Sequence, residues 1–202
     1  MQDVFSEKRV QSNLNFNPGR TAVLVVDMVN EFLEEGGRMV LPGGEVLYPP
    51  LTQLLKAAHA TDMPVFWLNQ SLYKGDKLFE KRIEHCLAGS WGAQIVEALP
   101  QGSNDTIIPK RRYSGFFQTD LDLHLRERKI ETVIVTGVVT NICVRSTVND
   151  AFFLGYQVIV PRDCVAATSP ELQEAHLYDI DTHYGTVIDT VDELLARLKQ
   201  AA

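Results

Sequence analysis

The sequence predicts an α/β fold in which a six-stranded parallel sheet is covered by helices on both faces. Three observations predict it. Short β-branched runs alternate along the chain with segments of helical period, the order expected of successive β/α units. Runs such as "AVLVV" (22–26) and "TVIVT" (132–136) are apolar at consecutive positions, as suits strands buried on both sides. The 202 residues, 45% of them hydrophobic, are enough for one well-buried domain and few for two.

The first strand reads "TAVLVVD" (21–27) and is followed by a loop marked by Gly36, Gly37, Pro42, Gly43 and Gly44. An apolar helical pattern from Leu51 to Ala60 then leads into the second strand, "PVFWLNQ" (64–70). "DTIIPK" (105–110), "ETVIVTG" (131–137), "YQVIVPRD" (156–163) and "GTVIDT" (185–190) supply strands three to six, with helical patterns between most of them. After Gly137 the stretch "VVTNIC" passes from strand to helix. Asn141 is the expected N-cap and Gly155 the expected stop of the helix "ICVRSTVNDAFFL" (142–154). Residues 1–19 read as a polar N-terminal arm and 20–202 as the single domain.

Composition removes several classes of partner. With 26 Asp plus Glu against 19 Lys plus Arg, no global positive field gathers phosphate backbones or anionic lipid, so nucleic acid and membrane are not expected partners. The first twenty residues lack an apolar signal core, and no later run reaches the roughly 18 apolar residues of a membrane span. The expectation is a cytoplasmic protein. Cys86, Cys143 and Cys164 are odd in number and form no C-x-x-C pair, which argues against a disulfide framework or structural zinc and leaves free-thiol chemistry.

Open parallel sheets bind ligands beyond the carboxyl ends of their strands. Asp27 closes the first strand, Lys110 closes the third, and Cys143 lies in the turn after the fourth, so an acid, a cation and a thiol are expected to converge there. In a first helical turn, unpaired backbone N–H groups and the helix dipole favour thiolate over thiol, and the same N–H groups can hold an oxyanion. Each residue also has a plainer reading taken alone. Cys143 can fill an apolar niche, Asp27 can cap a turn, and Lys110, followed by Arg111 and Arg112, can belong to a solvated basic face.

Three blocks, "AVLVVDMVNEF", "IIPKRRYSGFFQTDLD" and "VIVTGVVTNICVRSTVNDAFFLGYQVIVPRDCVAA", resemble the signature blocks of the isochorismatase-like cysteine hydrolases, in order and over about residues 20 to 190. The resemblance implies a Rossmann-like three-layer α/β/α sandwich and a catalytic triad of Asp27, Lys110 and Cys143. It implies a cis peptide between Val138 and Val139, and an oxyanion hole made by the backbone N–H groups of Val139 and Cys143. Through "FWLNQ", "GSWGAQIVEALP" and "KRRYSGFFQTDLD" the chain resembles the ureidoacrylate amidohydrolases, with related biuret and carbamoyl hydrolases sharing the triad. The metal-using nicotinamidases place histidines shortly after strand two. Here that stretch has none before His85, so no metal or other cofactor is expected. True isochorismatases lack the nucleophilic cysteine, so Cys143 favours amide chemistry.

Asn69 and Gln70, ending strand two, offer paired amide groups to a planar ureido moiety, or else form a turn contact. Arg112 and Tyr113 follow Lys110 closely enough to line a pocket, the arginine being suited to a substrate carboxylate or else solvated. Trp91, Phe116 and Phe117 either wall the site or pack elsewhere. His85, His124, His176 and His183 show no ligand spacing and are read as surface or helix-end residues, and Cys86 and Cys164 as structural.

These readings lead to a metal-independent amidohydrolase acting on a small ureido or carbamoyl compound through a thioester, in a chain expected to form a homo-oligomer. A non-enzymatic binding domain in the same cleft and a thiol redox protein are the competing classes, and within the enzymes a nicotinamidase-like or isochorismatase-like hydrolase is the alternative. The missing G-x-G-x-x-G and Walker loops count against a nucleotide-binding version of the first, and the missing nearby resolving cysteine against the second.

Overall fold

A computed structural model describes residues 17 to 201, so most of the expected arm over 1–19 lies outside the described residues. Six strands form one parallel sheet in the order β3-β2-β1-β4-β5-β7: β1 (Thr21–Val26), β2 (Val65–Gln70), β3 (Thr106–Lys110), β4 (Thr132–Val138), β5 (Gln157–Pro161) and β7 (Thr186–Ile188). A seventh, two-residue strand, β6 (Val165–Ala166), pairs with the end of β4. The sequence reads residues 156–163 as one strand. The chain instead leaves β5 at Pro161, turns through Arg162–Cys164 and adds β6, which is too short to carry a period of its own.

The central strands β1 and β4 are buried at every position because helices cover both faces. Alternate side chains point to opposite faces. Val23, Val25, Trp67, Ile134 and Ile159 pack beneath Leu51, Leu54 and Leu55 of α2 (Tyr48–Ala60) and Val191, Leu194 and Leu198 of α6 (Val191–Ala201). Ala22, Leu24, Val26, Phe66, Val133 and Val135 face the other way. They meet Leu121 and Leu125 of α3 (Leu121–Glu127), Val148 and Ala151 of α4 (Arg145–Phe153) and Leu177 of α5 (Pro170–Asp179). The remaining helix, α1 (Asn30–Leu33), is a single turn after β1. No helix among the described residues is long and apolar enough to cross a membrane.

Strand order reverses between β1 and β4, since the chain runs outward to β2 and β3 and returns to β4 on the other side of β1. Crossovers part at such a switch point, leaving a crevice at the carboxyl ends of the two strands. There, Gly137 of β4 lies opposite Val26 of β1 with φ +97°. A Cβ on Gly137 would stand 2.0 Å from the Val26 carbonyl oxygen, so only glycine allows this approach. Gly137→Ala is therefore expected to lower stability by about 2 to 3 kcal/mol, read as a lower urea midpoint with unchanged slope. An unshifted midpoint would show that the strands can part at no cost.

Candidate active site

Asp27 is the first residue beyond β1 and has φ +51°, a left-handed conformation that Asp tolerates better than most side chains. Its backbone N–H donates to Leu68 O at 3.0 Å and its carbonyl accepts from Val29 N at 2.8 Å, which fastens the turn. Lys110 ends β3 in register with Gln70 of β2. Its Nζ donates to Asp27 Oδ2 at 2.7 Å and to the Arg112 carbonyl at 3.3 Å, while Asp27 Oδ1 accepts from Gln70 N at 2.7 Å. Lys110 is 0% exposed and Asp27 1%, so each charge depends on these partners in place of water.

Cys143 lies in a π-helical turn, Thr140–Val144, that runs directly into α4, and its side chain reaches both Asp27 and Lys110. Thr147 Oγ1 donates to the Cys143 carbonyl at 2.8 Å and accepts from Gly115 N at 3.0 Å, clamping the segment after β3 onto this turn. Asn141 is not the N-cap. Its amide bridges to Thr168, donating to Oγ1 at 3.1 Å and accepting from the backbone N at 3.2 Å, so it fixes the loop before α5 instead. Gly155 follows the end of α4 with φ +87°, the left-handed geometry of a helix stop.

Burial works against the thiolate-favouring effect expected of this turn. Desolvation is the largest influence on Cys143 and pushes its thiol above the ordinary range. Lys110 pulls it down and the Asp27 charge pushes it further up. Lys110 is itself raised: burial opposes its charge, but Asp27 and the hydrogen bond to it prevail. Cys143 thus sits, with its thiol raised, beside a buried Lys110–Asp27 ion pair.

Above these groups opens a cleft of about 420 Å3, part of it in contact with solvent. Asp27, Gln70, Tyr113, Val138, Val139 and Cys143 line it, and the Val138–Val139 peptide is cis.

The isochorismatase domain description matches residues 21–192. The chain belongs to the isochorismatase family. It is 36% identical to an isochorismatase-like hydrolase from Alkaliphilus metalliredigens, over 88% of this chain and 98% of that one, with a TM-score of 0.84. It is 31% identical to a cysteine hydrolase from Pseudomonas syringae pv. phaseolicola, over 96% and 100%, with a TM-score of 0.89. With N-carbamoylsarcosine amidase from Thermoplasma acidophilum it shares 32% identity over 83% and 95%, with a TM-score of 0.76.

Other expected site residues of this isochorismatase-family chain lie elsewhere. Asn69 is buried but points away from the cleft, since neighbouring strand residues face opposite ways and Gln70 takes the inward position. Arg112 turns outward with Arg111 onto the buried Asp76, at 3.1 Å and 2.5 Å respectively, and lines a separate outer groove with Tyr73 and Phe117. The Leu78 N–H and Arg111 hold the Asp76 carboxyl below its usual range, which keeps that cluster ionic. Phe116 is buried against Tyr156, at 5.9 Å between ring centroids. Trp91 and Phe117 are 48% and 50% exposed, away from the cleft. Cys86 and Cys164 are free, buried, and pushed upward in pKa chiefly by desolvation.

Phe32, Met39, Leu78, Arg82, His85 and Ile142 complete the cleft wall and were not anticipated. His85 corrects an expectation, being 3% exposed rather than on the surface. Its Nδ1 bonds the Ile83 carbonyl at 2.7 Å, and its ring stands 5.9 Å from Phe32 and 5.7 Å from Phe79 between centroids. A carbonyl only accepts, so Nδ1 carries the proton and a neutral ring keeps Nε2 as an acceptor. No periodic pattern in residues 71–90 could have signalled this, because the segment is irregular apart from one 3-10 turn.

Because Cys143 is raised, alkylation of the free protein at this residue should accelerate roughly tenfold per pH unit between pH 7 and 9, the behaviour of a thiol still mostly protonated. Peptide mapping after iodoacetamide treatment reads the rate at Cys143. A rate already flat across that range would mean that the ion pair and the helical turn outweigh burial.

Proposed function

We propose that this isochorismatase-family protein is a cysteine amidohydrolase that cleaves a C–N bond of a small ureido or carbamoyl compound. The observation that carries the reading is the buried Lys110–Asp27 pair placed against a thiol at the foot of a solvent-connected cleft. A raised thiol needs a base to attack at neutral pH, and Asp27 is the carboxylate within its reach. Asp27 takes the Cys143 proton as sulfur bonds the carbonyl carbon, and the backbone N–H groups of Val139 and Cys143 hold the developing oxyanion. The proton on Asp27 passes to the departing nitrogen, which leaves as ammonia or an amine. Cys143 then carries the acyl group as a thioester, or as a thiocarbamate when the substrate is a urea. Asp27 next deprotonates water, whose attack on the same carbon releases the acid and returns the proton to sulfur. Lys110 keeps Asp27 oriented and balances the charge passing between the carboxylate and sulfur.

Gln70 supports the ureido class. Its Nε2 is buried without a hydrogen-bond partner, on a residue that lines the cleft, and a ureido oxygen supplies the acceptor it lacks. Tyr113 adds a hydroxyl to the same wall. The similarity to N-carbamoylsarcosine amidase agrees with a carbamoyl substrate, and ureidoacrylate-like compounds fall in the same class. Among the described residues no group of three or more His, Cys, Asp or Glu side chains is arranged to hold a metal ion.

Ammonia release from ureidoacrylate, biuret, N-carbamoyl amino acids and nicotinamide tests the reading. Cys143→Ser should lose at least about a thousandfold in kcat on whichever substrate is turned over, because the weaker nucleophile cannot form the acyl intermediate. Cys164→Ala, a core substitution outside the cleft lining, should keep its rate. Near-normal turnover by Cys143→Ser would remove covalent catalysis from the account.

A further inference from the structure

We infer that Arg82 recognises an anionic group, a carboxylate, on the substrate of this cleft. The inference rests on the amidohydrolase reading for the identity of the reaction, but its argument concerns binding alone.

Among the described residues Arg82 is the one arginine that lines the cleft shared by Asp27 and Cys143. It is exposed, and its single hydrogen bond as a side chain runs from Nη1 to the Lys81 carbonyl at 2.9 Å, with no carboxylate partner among the described residues. The other charges at the cleft are already matched, Asp27 by Lys110. Much of the remaining wall is apolar, including Phe32, Met39, Leu78 and Ile142, so a charge-assisted hydrogen bond made there is partly shielded from water. The whole chain carries a net charge of −7, which repels anions in general. An arginine left unpaired at the cleft mouth is a local exception, with most of its planar fork of donors free to take a carboxylate in bidentate fashion.

The position of Arg82 is built from below. Asp76 Oδ1 caps the turn Lys77–Glu80 by accepting from Leu78 N at 3.0 Å. Arg111 and Arg112, at the end of β3, grip the same carboxylate. The next residues close on this anchored turn, Lys81 N and Arg82 N both donating to Leu78 O at 3.1 and 3.2 Å. Arg112, which the sequence offers as a substrate contact, thus joins Arg111 in holding the segment that carries another arginine to the cleft.

The test measures binding without turnover, by calorimetry on Cys143→Ala protein, with N-carbamoylglycine and its primary amide as probes. The acid should bind at least about tenfold more tightly than the amide, the scale of one charged hydrogen bond. Adding Arg82→Ala should remove that preference while changing amide binding less than about twofold, and Arg82→Lys should recover part of it. Equal binding of acid and amide, a parallel loss of both in Arg82→Ala, or no binding of either probe would overturn the assignment. Failure of the covalent mechanism registers separately, as ammonia release that survives Cys143→Ser, and leaves this binding difference intact.

Discussion

Lys110 and Asp27 carry opposite charges at the bottom of the cleft, 2.7 Å apart and almost wholly buried. Neither is stable there alone. Removing one member of such a buried pair typically costs about 3 to 5 kcal/mol, because the other is left unpaired in a low-dielectric interior. The surrounding structure supplies the rest of what they need: the Gln70 amide for the second carboxylate oxygen, the Arg112 carbonyl for the ammonium, and the left-handed turn at Asp27. Three neighbouring strands must end at one level for these bonds to form, and the register of β1 with β2, and of β2 with β3, brings that about. The approach of β4 at Gly137 then delivers Cys143 to the same place.

The walls of the cleft come from segments with little regular structure, held by buried acids that face backbone. Glu31 is the counterpart of Asp76 on the opposite side. Its Oε1 accepts from Arg38 N at 2.9 Å and its Oε2 from Cys86 N at 3.2 Å, tying the loop after α1 to the segment that carries His85. Gly92 leaves the room this carboxylate occupies, since a Cβ there would stand 2.0 Å from Oε2. The sheet thus positions Asp27, Lys110 and Cys143, while carboxylate-pinned loops position Leu78, Arg82 and His85 on the cleft wall. In the proposed mechanism, chemistry and selectivity rest on separable parts of the fold.

The division also explains what the sequence reveals. The six principal strands are legible because burial on both faces leaves uninterrupted β-branched runs, and the convergence of Asp27, Lys110 and Cys143 follows from their places at strand ends. β6 is not legible, because two residues carry no period. Arg82 and His85 are not legible either. The approach of Arg82 depends on the tertiary grip of Arg111 and Arg112 on Asp76 and that of His85 on the bond from Cys86 N to Glu31, and no local pattern encodes interactions spanning some thirty-five and fifty-five positions. Adjacency to Lys110 made Arg112 the natural candidate, yet the neighbouring acid claims it. The raised thiol has a related origin: a helical turn is visible in sequence, whereas the depth of burial that opposes ionisation there is a property of the assembled core.

The central claim is that Cys143, driven by the Lys110–Asp27 pair, carries the acyl group between two half-reactions. Competition between water and hydroxylamine tests it most directly, using two substrates with the same acyl part and different leaving nitrogens. A common acyl-enzyme forgets its leaving group, so both substrates should give the same ratio of hydroxylamine-trapped product to hydrolysed product at a given hydroxylamine concentration. Ratios that differ between the two substrates, or the absence of any trapped product while hydrolysis proceeds, would contradict the account.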